Sequence, residues 1–206
     1  MAQLPATKTP MTAAQALYVL GSALGSDAAA LPMVAAQSAV ETAHWAAMWR
    51  WNFGNVTAGP GEDYQILPGN PLHFKVYESA EDGARDYVRW LRTRGVLAYA
   101  IRGDLDGYIE NLKSHGYLGF IGRAMPNGRV VSQSDYDQYA RGIAGLIHTF
   151  ASMTPQPFRS ATSSLVRMGS TRGRKIVTVG AVAGLGIALA ILAAGSSGKR
   201  AVGPRS

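Results

Sequence analysis

Twenty consecutive residues, 176–195, carry no charge: Ile-Val-Thr-Val-Gly-Ala-Val-Ala-Gly-Leu-Gly-Ile-Ala-Leu-Ala-Ile-Leu-Ala-Ala-Gly. As a helix this run would be about 30 Å long, the thickness of a bilayer's hydrocarbon core. Arg172, Arg174 and Lys175 precede it, and Lys199 and Arg200 follow. A buried helix of a larger core is the ordinary alternative. Length, charge exclusion and basic flanks on both sides predict a transmembrane helix instead. The flanking charges are too evenly shared to orient it. Gly180 and Gly184 form a small-xxx-small pair that would allow helix–helix self-association, although glycine is common in such spans for simpler reasons.

The remaining charge divides the chain. Residues 1–150 hold 12 Lys/Arg and all 13 Asp/Glu, whereas residues 151–206 hold 8 Lys/Arg and no acid. The net charge of +7 is therefore a property of the tail. The N-terminal part has no basic stripe, so no nucleic-acid partner is expected, and the basic linker more simply meets anionic lipid headgroups. Cysteine is absent, which excludes disulfides, thiolate metal sites and a cysteine nucleophile. The first residues show no signal-peptide pattern. These features predict a folded domain over 1–151, a basic Ser/Thr-rich linker over 152–175, the transmembrane helix over 176–195 and a short basic tail over 196–206.

Within 1–151 the pattern is mostly helical. Thr12 can cap a helix to about Leu24, and 27–48 reads as a strong helix with Pro32 tolerated near its first turn. Residues 55–77 are punctuated by Gly59-Pro60-Gly61 and Pro68-Gly69-Asn70-Pro71, then alternate as Phe74-Lys75-Val76-Tyr77, which predicts a small irregular hairpin or β-lobe. Ser79 opens a helix to about Thr93, with Ala84, Tyr87, Val88 and Leu91 on one face. A short helix spans about 104–113. After a turn-rich stretch over 118–131, Ser134 opens a last helix to about Ala151, with Tyr139, Ile143, Leu146 and Ile147 at core spacing. The fold class is thus α+β, mostly α.

The chemistry-bearing residue is Glu41. It ends the apolar stretch Ala36-Gln37-Ser38-Ala39-Val40-Glu41-Thr42 and precedes Trp51-Asn52-Phe53-Gly54-Asn55-Val56-Thr57-Ala58. A carboxyl among apolar neighbours can hold its proton near neutral pH and pass it to a glycosidic oxygen. A surface Glu paired with Arg50 is the plainer alternative. His73, His115 and His148 lack metal-ligand spacing, no nucleophile elbow is present, and no cofactor is called for.

These blocks resemble the flagellar and autolysin-type endo-β-N-acetylglucosaminidases, within the lysozyme-like peptidoglycan hydrolases. Ala36, Gln37, Ala39, Glu41 and Thr42 match the family's first block. Asn52, Phe53, Gly54, Val56, Thr57 and Ala58 match the second, with Asn55 as an extra residue. Phe74, Val76, Tyr77 and Ser79 match the third, Asp86 and Tyr87 the fourth, and Gly116 and Tyr117 the start of the last. Ala43-His44-Trp45 departs from the family's Gly-Trp-Gly, and Leu118-Gly119-Phe120 departs from its Ala-Thr-Asp.

The resemblance implies a lysozyme-like domain with Glu41 as general acid and Tyr117 as a cleft tyrosine. Glu62 and Asp63, in the predicted β-lobe, are the candidates for a second carboxylate; a lytic transglycosylase needs none. Trp45, Trp51 and Phe53 are candidates for stacking on sugars, and Asn52 for bonding an acetamido group. His44 either tunes the acid or fills space. The expected function is a membrane-anchored peptidoglycan-degrading enzyme that cleaves the β-1,4 glycan as a glucosaminidase, muramidase or lytic transglycosylase. An anchor without a signal peptide suggests a bacteriophage virion protein opening the wall during genome entry, or an inner-membrane enzyme facing the periplasm. The alternative is a catalytically inactive lysozyme-like glycan-binding or structural membrane protein.

Overall fold

The computed structural model describes residues 1–126 and 128–159; the predicted transmembrane helix, the tail and the Gly180/Gly184 pair lie outside the described residues. The described part is mixed α+β and mostly helical. Helix α1 (Ala13–Leu24) starts where Thr12 requires it. The Thr12 hydroxyl accepts the Gln15 N–H at 3.3 Å, and the Gln15 side chain accepts the Thr12 N–H at 3.0 Å, so two orphan donors are satisfied together. Leu17, Leu20 and Leu24 bury its inner face. A 3-10 stretch (Gly25–Ala30), bent at Asp27, joins it to α2 (Leu31–Glu41), with Pro32 in the first turn.

Helix α2 is the centre of the molecule. Every residue from Leu31 to Ala39 is buried, so it lacks the single apolar stripe of a surface helix. By length and composition, Ala13–Glu41 is apolar enough to cross a membrane. In this fold the run is bent, most of it is buried, and α1 packs back against α2.

The predicted helix over 27–48 stops at Glu41. The Thr42 hydroxyl donates to the Ser38 carbonyl at 2.7 Å and accepts the Trp45 N–H at 3.0 Å. Ala43, His44 and Trp45 then take left-handed φ values of 48°, 56° and 62°. The His44 N–H reaches the Ala39 carbonyl at 2.7 Å, the long bond of a Schellman ending, with alanine where glycine is usual. Each such residue costs about 1 kcal/mol. Glu41 is thereby held in the last turn, with the chain reversing immediately beyond it.

The β-lobe is a short antiparallel pair, β1 (Tyr64–Ile66) and β2 (His73–Lys75), in register Tyr64↔Lys75, Gln65↔Phe74 and Ile66↔His73. The N-terminal segment is strapped beside it: the Leu4 N–H donates to the Tyr64 carbonyl at 2.8 Å and the Arg50 N–H to Thr7 at 2.9 Å. Helix α3 (Ala80–Thr93) is capped by Ser79 and buries the predicted face of Ala84, Tyr87, Val88 and Leu91. Helix α4 (Val96–Arg102), absent from the sequence expectation, fits between left-handed Gly95 and Gly103. Helix α5 (Leu105–Ser114) is capped by Asp104. Helix α6 (Gln133–Met153) is capped by Ser132, two residues before the expected Ser134, in a reciprocal box with Asp135. The packed unit continues past residue 151, because Phe158 lies against Gly21 and Tyr18 of α1.

Most of the motif residues outside α2 tie the β-lobe to the helices. The Tyr77 hydroxyl donates to Asp86 at 2.6 Å, and Lys75 bridges Asp86 at 3.2 Å and Glu62 at 2.8 Å. Gly54 is required by close approach, since any Cβ there would enter the Tyr87 ring.

Candidate active site

Glu41 lines a groove of about 330 Å³ between the β-lobe and the face formed by α6 and the 116–129 loop. Leu67, Asn70 and Leu72 form one wall, Tyr117, Leu118 and Gln138 the other, with Trp49 and Trp90 also on its surface. Burial raises the Glu41 pKa from 4.5 to about 7. Hydrogen bonds from Tyr139 and Asn55 act in the opposite sense without cancelling it. Its place at the carbonyl end of α2 works in the same direction as burial, because the helix dipole disfavours an anion there. At neutral pH the group therefore exists as a substantial mixture of acid and carboxylate, the condition for a general acid.

Its hydrogen-bond partners come from two distant segments. The Tyr139 hydroxyl donates to Oε1 at 2.6 Å. Asn55 Nδ2 donates to Oε2 at 3.2 Å and to the Glu41 backbone carbonyl at 2.8 Å. Asn55 adopts φ 48°, a left-handed conformation that asparagine tolerates better than most residues. Tyr117 donates to the Gly54 carbonyl at 2.6 Å, which fixes the Asn55 loop to the far wall. One turn before Glu41 on α2, Gln37 accepts hydroxyl bonds from Tyr87, at 2.7 Å, and from Tyr108. Burial pushes the phenols of Tyr87, Tyr108, Tyr117 and Tyr139 upward, so all four remain neutral donors. Among the described residues the Gln37 Nε2 has no hydrogen-bond acceptor, which leaves a buried amide donor beneath the site.

The structure places Glu41 and Tyr117 on one groove and the other candidate residues outside its lining. Glu62 and Asp63 line a different depression with Lys75 and Asp86. Glu62 bonds to Lys75, which with the Gly59 N–H holds its pKa below the usual carboxylate value, and Asp63 accepts the Ala2 N–H at 2.6 Å. Neither lines the groove onto which Glu41 opens. Trp45, expected to stack on sugar, is 0% exposed; its indole donates to the Ser38 hydroxyl at 2.9 Å and its ring packs on Phe150. Phe53 is likewise fully buried. Asn52 is spent on the loop itself, donating to the Val56 carbonyl at 2.9 Å and accepting the Val56 N–H at 2.8 Å. Trp51 is half-buried against α3 and outside the groove lining. His44 is exposed on the reversal after α2, and Arg50 bonds to the Pro5 carbonyl rather than to Glu41.

The remaining carboxylate on the groove is Asp135. One of its oxygens accepts the Ser132 N–H and hydroxyl, and the other pairs with Arg129. Among the described residues no cluster of three or more His, Asp or Glu could hold a metal.

Tyr139, Asn55, Trp49 and Trp90 are the site residues that sequence reasoning missed. Tyr139 was legible only as core spacing, although a phenol on a buried stripe needs a polar partner. Asn55 was legible only as an interruption of a motif, although asparagine after glycine is itself a left-handed signal. No protein-family model, curated protein or solved structure matches the chain.

Proposed function

We propose that this domain is a lysozyme-like enzyme that cleaves the β-1,4 glycan of peptidoglycan, with Glu41 as the general acid. The observation that carries the reading is a carboxyl whose pKa burial raises to about 7, opening onto a groove edged by Trp49, Trp90 and Tyr117. Support for the lysozyme-like comparison lies in the arrangement: an acid at the end of a central helix faces a groove bounded by a small β-lobe. Aromatic groove edges suit the apolar faces of sugar rings, and hydroxyl and amide donors fix the acid's orientation.

In the proposed step the Glu41 proton passes to the glycosidic oxygen as the C1–O bond breaks, leaving an oxocarbenium-like centre and a Glu41 carboxylate. Tyr139 and Asn55 then stabilise that carboxylate by the bonds they already make. Among the described residues the groove supplies no second carboxylate free of a cap or an ion pair. The step is therefore best completed by a hydroxyl of the substrate itself. That oxygen bonds to C1 and its proton returns to Glu41, the outcome of a lytic transglycosylase. With water in place of the sugar hydroxyl, the same sequence gives a glucosaminidase or muramidase.

The sequence further motivates an anchored arrangement. Residues 176–195 would sit in a bilayer, self-associating through Gly180 and Gly184, with the domain facing the periplasm or carried in a virion membrane. Resistance of the full chain to carbonate extraction from membranes tests the anchor; release into the soluble fraction contradicts it.

The cleavage reading is tested by mass analysis of purified wall digested with wild type and with Glu41→Gln. Wild type should release 1,6-anhydro ends and the variant none. Reducing ends would redirect the reading to water attack, and wall binding without any new ends would identify a non-catalytic glycan-binding module.

A further inference from the structure

Arg94 follows α3 at the edge of the groove, and its guanidinium lies over the Trp90 ring, 4.3 Å from the centroid. The same ring meets Tyr117 edge-on at 5.3 Å. A guanidinium held over a ring face by cation–π attraction can still offer its N–H donors to a carboxylate in two parallel bonds. The neighbouring arginines of α3 are occupied: Arg85 pairs with Asp82, Arg89 with Asp86 and Arg92 with Asp27. Arg94, exposed at the C-cap of α3, has no carboxylate partner among the described residues. It is thus a held and uncompensated cation on a groove whose own Asp135 is already paired with Arg129.

We propose that Arg94 on its Trp90 shelf is a carboxylate-recognising subsite, which favours acid-bearing glycan strands over uncharged N-acetylglucosamine polymers. The inference rests on the glycan-cleaving reading of the same groove. Two sources of carboxylate exist in such strands: the lactyl ether of a peptide-free muramoyl sugar, and the peptide stem that amidates that lactyl group. Either would extend from the sugar ring and reach a cation at the edge while the ring occupies the groove.

The test is calorimetric binding to the Glu41→Gln full chain, which leaves ligands intact. Three tetrasaccharides serve as probes: chitotetraose, a peptide-free muramoyl tetrasaccharide, and its stem-bearing form. Adding Arg94→Gln should weaken one or both acid-bearing ligands by about three- to tenfold and leave chitotetraose within about twofold. Arg94→Lys should recover part of the loss, and added salt should reproduce it. Which acid-bearing ligand responds identifies the source. Equal weakening of all three ligands, no change in any, or no binding of the acid-bearing pair to the Arg94 protein would overturn the subsite. Binding that follows the expected pattern, together with walls left uncut by wild type, would sink the cleavage reading and leave the subsite standing.

Discussion

Glu41→Gln should make the protein more stable at pH 8 while removing the proposed catalytic proton. Burial raises the Glu41 pKa from 4.5 to about 7, so the folded state binds this proton more tightly than the unfolded state does. Between those two values the folded chain carries more protons, and stability falls as pH rises. Below about 4.5 the group is protonated in both states and exacts nothing; above about 7 the full cost of a buried anion is present. At about 1.4 kcal/mol per pKa unit that cost is on the order of 3 kcal/mol. Gln keeps an acceptor for the Tyr139 hydroxyl but sets an amide donor against Asn55 Nδ2, which sacrifices roughly 1 kcal/mol. The net expectation at pH 8 is a gain of about 2 kcal/mol, or roughly 4–8 °C in Tm for a chain of this size. Thermal unfolding followed by circular dichroism at pH 4 and pH 8 reads it directly. The gain should vanish or reverse at pH 4. A difference between variant and wild type that is the same at both pH values would refute the reasoning.

Three further outcomes follow from the same geometry. Tyr139→Phe deletes a bond that favours the carboxylate, so the alkaline limb of kcat/KM against pH should move upward from its wild-type position near 7, with a lower maximum; an unmoved limb would detach Tyr139 from the acid. Ala43→Gly should stabilise the fold by about 1 kcal/mol in urea unfolding, because residue 43 sits at φ 48° in the Schellman ending; destabilisation would contradict the left-handed assignment. Gly83→Ala should destabilise the fold by more than about 2 kcal/mol, since a Cβ at that point of α3 would run into the Trp51 carbonyl; a neutral outcome would show that the Trp51 loop and α3 approach less closely.

The starts of α1, α3 and α5 were legible because they depend on local chemistry. Thr12, Ser79 and Asp104 each cap the helix that follows. The end of α2 was hidden because its Schellman position holds Ala43 rather than glycine, and the cost of that choice is met by tertiary packing around Trp45 and Thr42. Helix α4 was missed because seven residues between two glycines show too little periodicity. In the site, Glu41 was legible from its apolar setting, whereas Tyr139 is 98 positions away in sequence and only the packing of α6 on α2 brings it near. The opposite error has the same origin. Trp45, Asn52 and Phe53 look like sugar contacts in one dimension, yet their polar atoms and rings are consumed by the loops that support Glu41.

Acid catalysis by Glu41 requires a carboxyl that keeps its proton to near neutrality while facing a groove. Carbon-13 NMR of the labelled Glu41 carboxyl, titrated from pH 3 to pH 9, measures this without reference to any substrate. A midpoint near 7 is the expected result. A midpoint near the ordinary 4.5 would mean that water reaches the group freely, and Glu41 could not serve as the acid.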